Sequence, residues 1–446
     1  MDIVSTYSIK IKKYNNIFKE SIEQYRSAVR FFIDVCLKEW NEISSIASIN
    51  KYRLSCIESK TIVTKNRKIV SYNFNEVCYK MPVYLRRAAI SEALCKVSSY
   101  KSNLSNWEHE DKRTRRKQPT FTKIGNIYPV LYKSNMFIRV DDYKAKIKVY
   151  RNNTWDWIEV QLRKSDVDYI KNHCCNLKEC SPTLQKRGKQ WYLDFAFKQT
   201  VKFNNVPIRK QTILAVDLGI NSSATCSVMN SDGAVLGRKF LHLPKEYDSL
   251  RQKIEHIKKA QKCGSRNVSN LWSYAKSVNN DISIKTAKFI IDNAVLYNVD
   301  CIVFEHLNLC GKKRGSHKQM LSLWKARYVQ QIVEHKAHAN GIRISTINAC
   351  GTSRLAYDGS GKVLRGQESD KCKSYSECEF STGKIYNCDL NATYNIGSRY
   401  FVREILKTLS ARARQHAEVN ILGCAKRSTC TLATLISLNG VLQTAV

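Results

Sequence analysis

Apolar residues recur with two different periods along the chain, and these periods divide its first half into regions. Residues 7–11 alternate between apolar and polar side chains, which is typical of a half-buried strand. Over residues 18–40 the apolar positions are three or four apart, and this spacing predicts a helix with one buried stripe. A second helix with a similar stripe is predicted to begin near Pro82. Residues 15–119 are therefore expected to form a helical lobe.

Short alternating stretches return after the lobe. Turn-forming pairs such as Asn152-Asn153 separate these stretches, so the pattern predicts a series of short strands. Together with the strand at residues 7–11, they predict a small β-barrel domain from residues 1–14 and 120–205. The helical lobe is expected to be inserted into this barrel.

Acidic residues stand at the ends of predicted elements three times in the second half of the chain. The apolar run 213–216 leads directly to Asp217, the run 301–304 leads to Glu305, and Asp389 stands where the chain enters a helical stretch. Burying one carboxylate costs several kcal/mol unless it is paired or bound to a cation. Since Asp and Glu oxygens suit hard ions, the three acids predict a site for a divalent metal such as Mg²⁺ or Mn²⁺.

The order of the predicted elements around these acids indicates a fold. An antiparallel meander begins with the strand of Asp217. It is followed by two helices, the strand of Glu305, a helix, a strand over residues 342–347, and a helix opened by Asp389. This is the succession of a ribonuclease-H-like fold. With the barrel and the lobe it predicts an α+β protein of several domains, which suits a length of 446 residues.

The net charge of the chain indicates which kind of molecule it binds. The chain has 74 Lys and Arg against 38 Asp and Glu, a formal charge of +36, which indicates a large polyanion as partner. A membrane surface is the competing polyanion, but the sequence has no apolar run of about 18 residues and no basic-then-apolar leader. The 17 cysteines are scattered through apolar patterns, which indicates a reducing cytosol. We therefore expect a cytoplasmic nucleic-acid-binding protein with no membrane or small-molecule partner.

Clusters of basic residues are the expected phosphate contacts. Such contacts strengthen binding and make it depend on salt, but they do not select a base sequence. The candidates are Lys112, Arg113, Arg115, Arg116 and Lys117 before Pro119, Lys312, Lys313 and Arg314 in a loop, and Arg354.

The residues around the three acids carry a resemblance to a known family. The motifs are Val216-Asp217-Leu218-Gly219, Phe304-Glu305-His306-Leu307 and Asp389-Leu390-Asn391-Ala392-Thr393-Tyr394-Asn395-Ile396. They resemble the three RuvC motifs of TnpB, the RNA-guided nuclease of insertion-sequence transposons, and of the compact type V CRISPR effectors similar to it. The resemblance is specific over residues 211–400 and looser in the N-terminal half.

This resemblance implies an RNA-guided DNA endonuclease in the prokaryotic cytoplasm. Asp217, Glu305 and Asp389 would hold two Mg²⁺ ions in one RuvC domain, residues 211–348 and 386–420, which would cut both DNA strands in turn. A guide RNA would pair with double-stranded target DNA, while the barrel, or wedge domain, and the lobe would read a short flanking motif.

The segment before the third motif departs from the family pattern. Residues 349–385 correspond to a nucleic-acid-binding insert in which two Cys pairs usually form a zinc finger. Here Ala356 and Gly359 occupy the positions of the first pair, and only Cys378 remains of the second. The insert is thus a degenerate zinc-finger-like segment.

Other cysteines in this region are poor substitutes for the missing ligands. The candidates are Cys350, Cys372, Cys378 and Cys388, which include no close pair. Structural zinc is therefore not expected, and packing around Tyr357, Tyr375 and Phe380 is predicted to hold the insert together.

The sequence pattern is less clear toward the end of the chain. The last helix is expected to run to about residue 419, with a basic side formed by Arg399, Arg403, Lys407, Arg412 and Arg414. Residues 421–446 are mildly apolar without a clear pattern, and no function is assigned to them.

Two other functions stay open on the sequence alone. A guide-RNA-dependent DNA-binding regulator without cleavage would be expected to lack the three acids, and they are present here. A guide-independent RuvC-type nuclease would have no use for so large and basic an N-terminal half.

Overall fold

The computed structural model describes residues 1–13, 16–46, 50–64, 68–111, 117–121, 124–203, 205–219, 222–265, 267–307, 324–417 and 429–444. The chain divides into two compact units. One runs from Asp2 to Gln199, and the other comprises Met1 and Thr200–Val446. Both units contain helices and strands, which confirms the predicted α+β multidomain class. None of the helices formed by the described residues combines the length and the apolar character needed to cross a lipid bilayer.

Helices and short strands are mixed in the unit that starts at Asp2. Its helices are α1 (Ile17–Lys38), α2 (Trp40–Ser45), α3 (Asn50–Thr61), α4 (Val83–His109) and α5 (Lys164–Cys174). Its strands are β1 (Asp2–Lys10), β2 (Phe137–Arg139), β3 (Lys144–Arg151), β4 (Thr154–Gln161), β5 (Lys178–Glu179), β6 (Thr183–Arg187) and β7 (Gln190–Thr200).

The two predicted helical stripes form the centre of this unit. Helix α1 buries Phe18, Val29 and Phe32 completely, because apolar residues three or four apart share one face of a helix. Helix α4 starts directly after Pro82, which lies at its N-cap, and packs against α1. Ile90 of α4 belongs to the same core. The sequence pattern does not predict α3 and α5.

The predicted closed β-barrel is not formed by the described residues. Strands β2, β3 and β4 make an antiparallel meander, whereas β1, β5 and β6 pair with β7 in a second sheet. Two isolated bridges, Ile11–Leu162 and Val130–Thr183, link segments next to these strands. Strand β5 has two residues and pairs with a different stretch of β7 from β6. Such short pairings do not supply the continuous ladder that closing a barrel requires.

The second unit contains one large sheet, one small sheet and their covering helices. Its strands are β8 (Thr212–Asp217), β9 (Ala224–Asn230), β10 (Val235–Leu241), β11 (Cys301–His306), β12 (Arg343–Asn348), β13 (Leu364–Arg365), β14 (Glu377–Glu379) and β15 (Ile385–Asn387). Its helices are α6 (Pro244–Lys262), α7 (Ser269–Leu296), α8 (Ala326–Ala339), α9 (Cys388–Thr408), α10 (Ala411–Ala417) and α11 (Leu432–Thr444).

The large sheet has the strand order β10-β9-β8-β11-β12. Strand β9 is antiparallel to β8 and β10, whereas β11 is parallel to β8 and β12. Side chains alternate between the two faces of a strand. Ile213 and Ala215 of β8 therefore pack in the core formed with α9, while Leu214 and Val216 pack with α7 and α8 on the opposite face.

The end of the chain completes the core on the α9 side. The long helix predicted to reach residue 419 ends at Thr408, and α10 follows it. Leu432, Leu435 and Leu438 of α11 are buried against residues of α9. Residues 432–444, which show no clear pattern in the sequence, thus form a helix that belongs to the core of this unit.

The segment 349–385 folds around a small core of its own. Strands β13, β14 and β15 form an antiparallel sheet. The ring centroids of Tyr357 and Phe380 are 5.4 Å apart, so these two side chains pack against each other as predicted. Tyr375 is 65% exposed, so its predicted place in this core is wrong. Ala356, in the position of a family cysteine, is buried in the same core.

Candidate active site

Strand β8 carries Asp217 to one end of the large sheet. The four residues before it are buried, and Asp217 itself is half-buried as the last residue of the strand. The amide of Gly219 donates a 3.1 Å hydrogen bond to the carbonyl of Ser222. A Cβ atom at Gly219 would lie 2.7 Å from that oxygen. The turn that follows Asp217 therefore requires glycine.

Strand β11 brings Glu305 beside Asp217. It is parallel to β8, with Phe304 opposite Val216, so the next pair in this register is Glu305 and Asp217. Because side chains alternate along each strand, both acids lie on the face of the sheet that α9 covers. Glu305 is half-buried, as Asp217 is.

Asp389 lies in the first turn of α9. Asn387 caps this helix, and its Oδ1 accepts hydrogen bonds from the amides of Asp389 and Leu390, both at 3.0 Å. Helix α9 approaches the sheet closely because Gly397 has no side chain. A Cβ atom at Gly397 would lie 2.5 Å from Met229 Sδ of β9. Two strand ends and one helix start therefore position the three acids.

The three carboxyl groups are close enough for their charges to interact. Burial raises the pKa of Asp217 well above its usual range, and the charges of Glu305 and Asp389 raise this pKa further. The Arg365 guanidinium acts in the opposite direction. Repulsion between the Asp217 charge and its two acidic neighbours favours the binding of a cation among the acids.

Two side chains from outside the predicted motifs act on Glu305. Burial raises the pKa of Glu305, whereas a hydrogen bond from Thr352 and the charge of Arg399 lower it. The Thr352 hydroxyl donates to Glu305 Oε1. Neither side chain is predicted to belong to the site by the sequence.

Arg399 does not lie on an exposed basic side of the last helix, as the sequence analysis predicts. It is 4% exposed. Its Nη1 donates to the carbonyls of Asn348 and Cys350, at 2.9 and 2.8 Å. A charge pattern in a sequence cannot tell a buried arginine that holds backbone carbonyls from a solvated one.

The acids suit a hard divalent cation by their chemistry, since Asp and Glu supply the oxygen ligands that Mg²⁺ and Mn²⁺ prefer. Their combined negative charge also favours such an ion. Among the residues that the structure describes, no group of three or more His, Cys, Asp or Glu side chains is arranged to bind a metal ion. The three carboxylates are thus close enough to interact through their charges but do not form a preassembled ligand set in the described residues.

Arg365 of β13 adds a positive charge that the sequence analysis missed. Its Nε lies 3.2 Å from Sγ of Cys388, the residue before Asp389. A hydrogen bond from Cys378 and the charge of Arg365 lower the pKa of Cys388 to about 7. One arginine among 74 Lys and Arg gives no signal in the sequence, so its position became evident only in the folded chain.

The predicted phosphate contacts fall mostly outside the described residues. Those outside are Lys112, Arg113, Arg115, Arg116, Lys312, Lys313 and Arg314. Lys117 is described and exposed. Arg354 is exposed, but its Nη1 lies 2.6 and 2.8 Å from the two carboxylate oxygens of Glu368. A phosphate would therefore compete with Glu368 for Arg354.

The four candidate zinc ligands differ in their surroundings. Cys378 and Cys388 are buried, Cys372 is partly exposed and Cys350 is exposed. Sγ of Cys378 lies 3.4 Å from the carbonyl oxygen of Tyr386. Cys378 and Cys388 also pack with Ala356 and Phe380. Two of the four thus serve the apolar core of the insert.

Comparisons with known proteins find a matching family model and several relatives. The model of the Aq_aa04 family matches residues 5–151. The TnpB-like protein aq_aa05 of Aquifex aeolicus is 25% identical over 241 residues, which cover 48% of this chain and 76% of that protein. The TnpB-like protein MJ0751 of Methanocaldococcus jannaschii is 25% identical over 211 residues, covering 45% of this chain and 72% of that protein.

Among solved structures, the chain is similar to that of a Cas12f1–sgRNA–target DNA complex. The identity is 16% and the TM-score 0.34, with 88% of this chain and 98% of that chain covered. The two TnpB-like relatives confirm the resemblance predicted from the motifs around Asp217, Glu305 and Asp389. The chain is similar to these TnpB-like proteins over about half of its own length.

Proposed function

We propose that this protein is an RNA-guided DNA endonuclease that cuts target DNA at a single RuvC-type site. The observation that carries the proposal is that β8, β11 and α9 bring Asp217, Glu305 and Asp389 to one end of the large sheet, close enough for the charges of Glu305 and Asp389 to raise the pKa of Asp217. Similarity to TnpB-like proteins supports it. In this proposal residues 211–348 and 386–420 form the nuclease domain, with a ribonuclease-H-like fold.

Asp217, Glu305 and Asp389 would hold two divalent cations, Mg²⁺ or Mn²⁺. The chemistry that such ions would supply is stabilisation of the attacking and the leaving oxygens in phosphodiester hydrolysis. The protein itself would fix the three carboxylates on β8, β11 and α9, because rigid elements position catalytic groups better than loops do. Arg365 adds a cation that could contact a phosphate oxygen of the DNA next to the acids.

A guide RNA and double-stranded target DNA are the proposed partners. A protein that leaves sequence selection to base pairing needs many phosphate contacts and few base-specific side chains. The formal charge of +36 suits that division. We assign the flanking-motif contacts to the strands and helices of residues 1–205, and further backbone contacts to the insert, residues 349–385. This activity would take place in the prokaryotic cytoplasm, on cellular or invading DNA.

The test is guided cleavage by the protein purified with its RNA. Sequencing the co-purified RNA supplies the guide, and a DNA library with a matching target and randomised flanks supplies the substrate. We expect the wild-type protein to cut the matched target in Mg²⁺ and Asp217→Ala to bind RNA and target without cutting. Asp232→Ala is the matched control, because Asp232 is an exposed acid in the turn after β9.

Three results would contradict the proposal, each in a different way. Full cleavage by Asp217→Ala would show that the site is elsewhere. Tight guided binding by a wild-type protein that never cuts would favour a DNA-binding regulator. Cleavage that needs no RNA would favour a guide-independent nuclease.

A further inference from the structure

Glu305 is held at both its backbone and its side chain. The backbone carbonyl of Glu305 accepts a 3.0 Å hydrogen bond from Gln330 Nε2 of α8. Its Oε1 accepts a hydrogen bond from the hydroxyl of Thr352, which is 3% exposed. We propose that Thr352 is a positioning residue that holds one oxygen of the Glu305 carboxylate and leaves the other oxygen for a metal ion. This inference rests on the proposed function.

The Thr352 hydroxyl has a choice of acceptor. It lies within hydrogen-bond distance of Glu305 Oε1 and 3.1 Å from the carbonyl of Ala349, but a hydroxyl has one proton to donate. A hydrogen bond to an ionised carboxylate is stronger than one to a neutral carbonyl. The proton therefore goes to Glu305. With Oε1 engaged in this way, Oε2 is left for an ion.

Helix α9 fixes the loop that carries Thr352. Asn395, which is fully buried, donates from Nδ2 to the carbonyls of Thr352 and Leu355 at 2.9 and 2.8 Å. One turn further along α9, Arg399 donates to the carbonyls of Asn348 and Cys350. Residues four apart lie on the same side of a helix, so Asn395 and Arg399 hold one continuous stretch of the loop.

The same helix thus serves two of the acids. Its first turn carries Asp389, and its middle turns hold the loop whose Thr352 contacts Glu305. A carboxylate that binds a metal is usually oriented by a hydrogen bond from a second residue, and loss of that residue weakens metal binding or activity about 10- to 100-fold. A hydroxyl needed only to shape the loop would not affect metal binding in this way.

The experiment compares Thr352→Val with Thr352→Ser. Val has nearly the shape of Thr and lacks the hydroxyl, whereas Ser keeps the hydroxyl and lacks the methyl group. Thr286→Val is the matched control, because Thr286 is also buried and its hydroxyl donates to Ile282 within its own helix at 2.8 Å. Thr352→Ala replaces the Val variant if the latter does not fold, as judged by thermal unfolding.

Two measurements are made on the full chain. Mn²⁺ is titrated into the RNA-free protein in a calorimeter, with Asp217→Ala defining the heat that does not come from this site. Guided cleavage is then followed in single turnovers over a range of Mg²⁺ concentrations. We expect Thr352→Val to bind Mn²⁺ at least about 10-fold more weakly and to need correspondingly more Mg²⁺. Thr352→Ser and Thr286→Val should behave as the wild type does.

Mn²⁺ affinity and Mg²⁺ dependence equal to wild type in Thr352→Val would overturn the inference. So would an equal loss in Thr352→Ser, because the methyl group and not the hydroxyl would then matter. Failure of the proposed function has a different signature. In that case the wild-type protein cuts no guided target, whatever the Mn²⁺ titrations of the variants give.

Discussion

Gly397→Ala tests how closely α9 lies on the sheet, and so how Asp389 reaches the other acids. An added Cβ would lie 2.5 Å from Met229 Sδ and 3.4 Å from Ala215 Cβ. The second distance is an ordinary close contact, but the first forces an atom to move. Met229 is fully buried, so its side chain has little room to withdraw.

The size of the effect follows from two opposing contributions. Ala is better than Gly inside a helix by about 1 kcal/mol. Forcing an extra carbon into a packed core costs about 1–3 kcal/mol. Gly440→Ala in α11 is the matched control, because a Cβ there meets no atom within 4 Å and only the helix contribution applies. Gly397→Ala should therefore be less stable than Gly440→Ala by about 1–3 kcal/mol, or about 2–12 °C in Tm for a unit of this size.

Thermal unfolding of both variants in EDTA measures this difference, and guided cleavage measures its effect on the site. We expect Gly397→Ala to unfold first and to cut more slowly, since α9 must move with Asp389 on it. If Gly397→Ala unfolds at the same temperature as Gly440→Ala or above it, α9 does not approach β8 and β9 as closely as the packing here requires.

Two further predictions concern stability. Asp217→Asn should raise the Tm of the metal-free protein, because partial burial and the charges of Glu305 and Asp389 both disfavour an ionised Asp217. The pKa of this acid is raised on folding, so its stabilising effect is present at low pH and lost as the pH rises through the folded pKa. The advantage of the Asn variant should hence be larger at pH 8 than at pH 4, and a lower Tm than wild type at pH 8 would contradict this. Leu435→Ala, at a fully buried position of α11, should cost about 2–5 kcal/mol in urea unfolding. Ile436→Ala, 54% exposed, should cost far less, and equal costs would show that α11 is not packed as described.

The sequence is informative where a short pattern determines the structure. An apolar run ending on an acid predicts strands that deliver Asp217 and Glu305, and the register of β8 with β11 puts these acids side by side. The capping of α9 by Asn387, two residues before Asp389, is also a local feature. Local features of this kind are available to sequence analysis because neighbouring residues create them.

Contacts between residues far apart in the chain could not be predicted from the sequence. Nothing near Thr352 in the sequence indicates that its hydroxyl contacts Glu305. Nothing near Arg399 indicates that it is buried and that its charge acts on Glu305. The sequence predicts short strands in the first unit, which are present, but it does not predict β5 and β6. The barrel prediction is wrong because the partners of β7 are set by tertiary pairing. Helix α11 is apolar on more than one side and therefore gives no clear periodic pattern.

The most direct test of the account is to locate metal ions at the site. Crystals of the protein with guide RNA and target DNA would be soaked in Mn²⁺, and anomalous diffraction would be recorded at the manganese edge. We predict manganese between Asp217, Glu305 and Asp389, with carboxylate oxygens about 2.0–2.2 Å away, as octahedral oxygen sites require. Manganese bound elsewhere, with these three carboxylates contacting no ion, would contradict it.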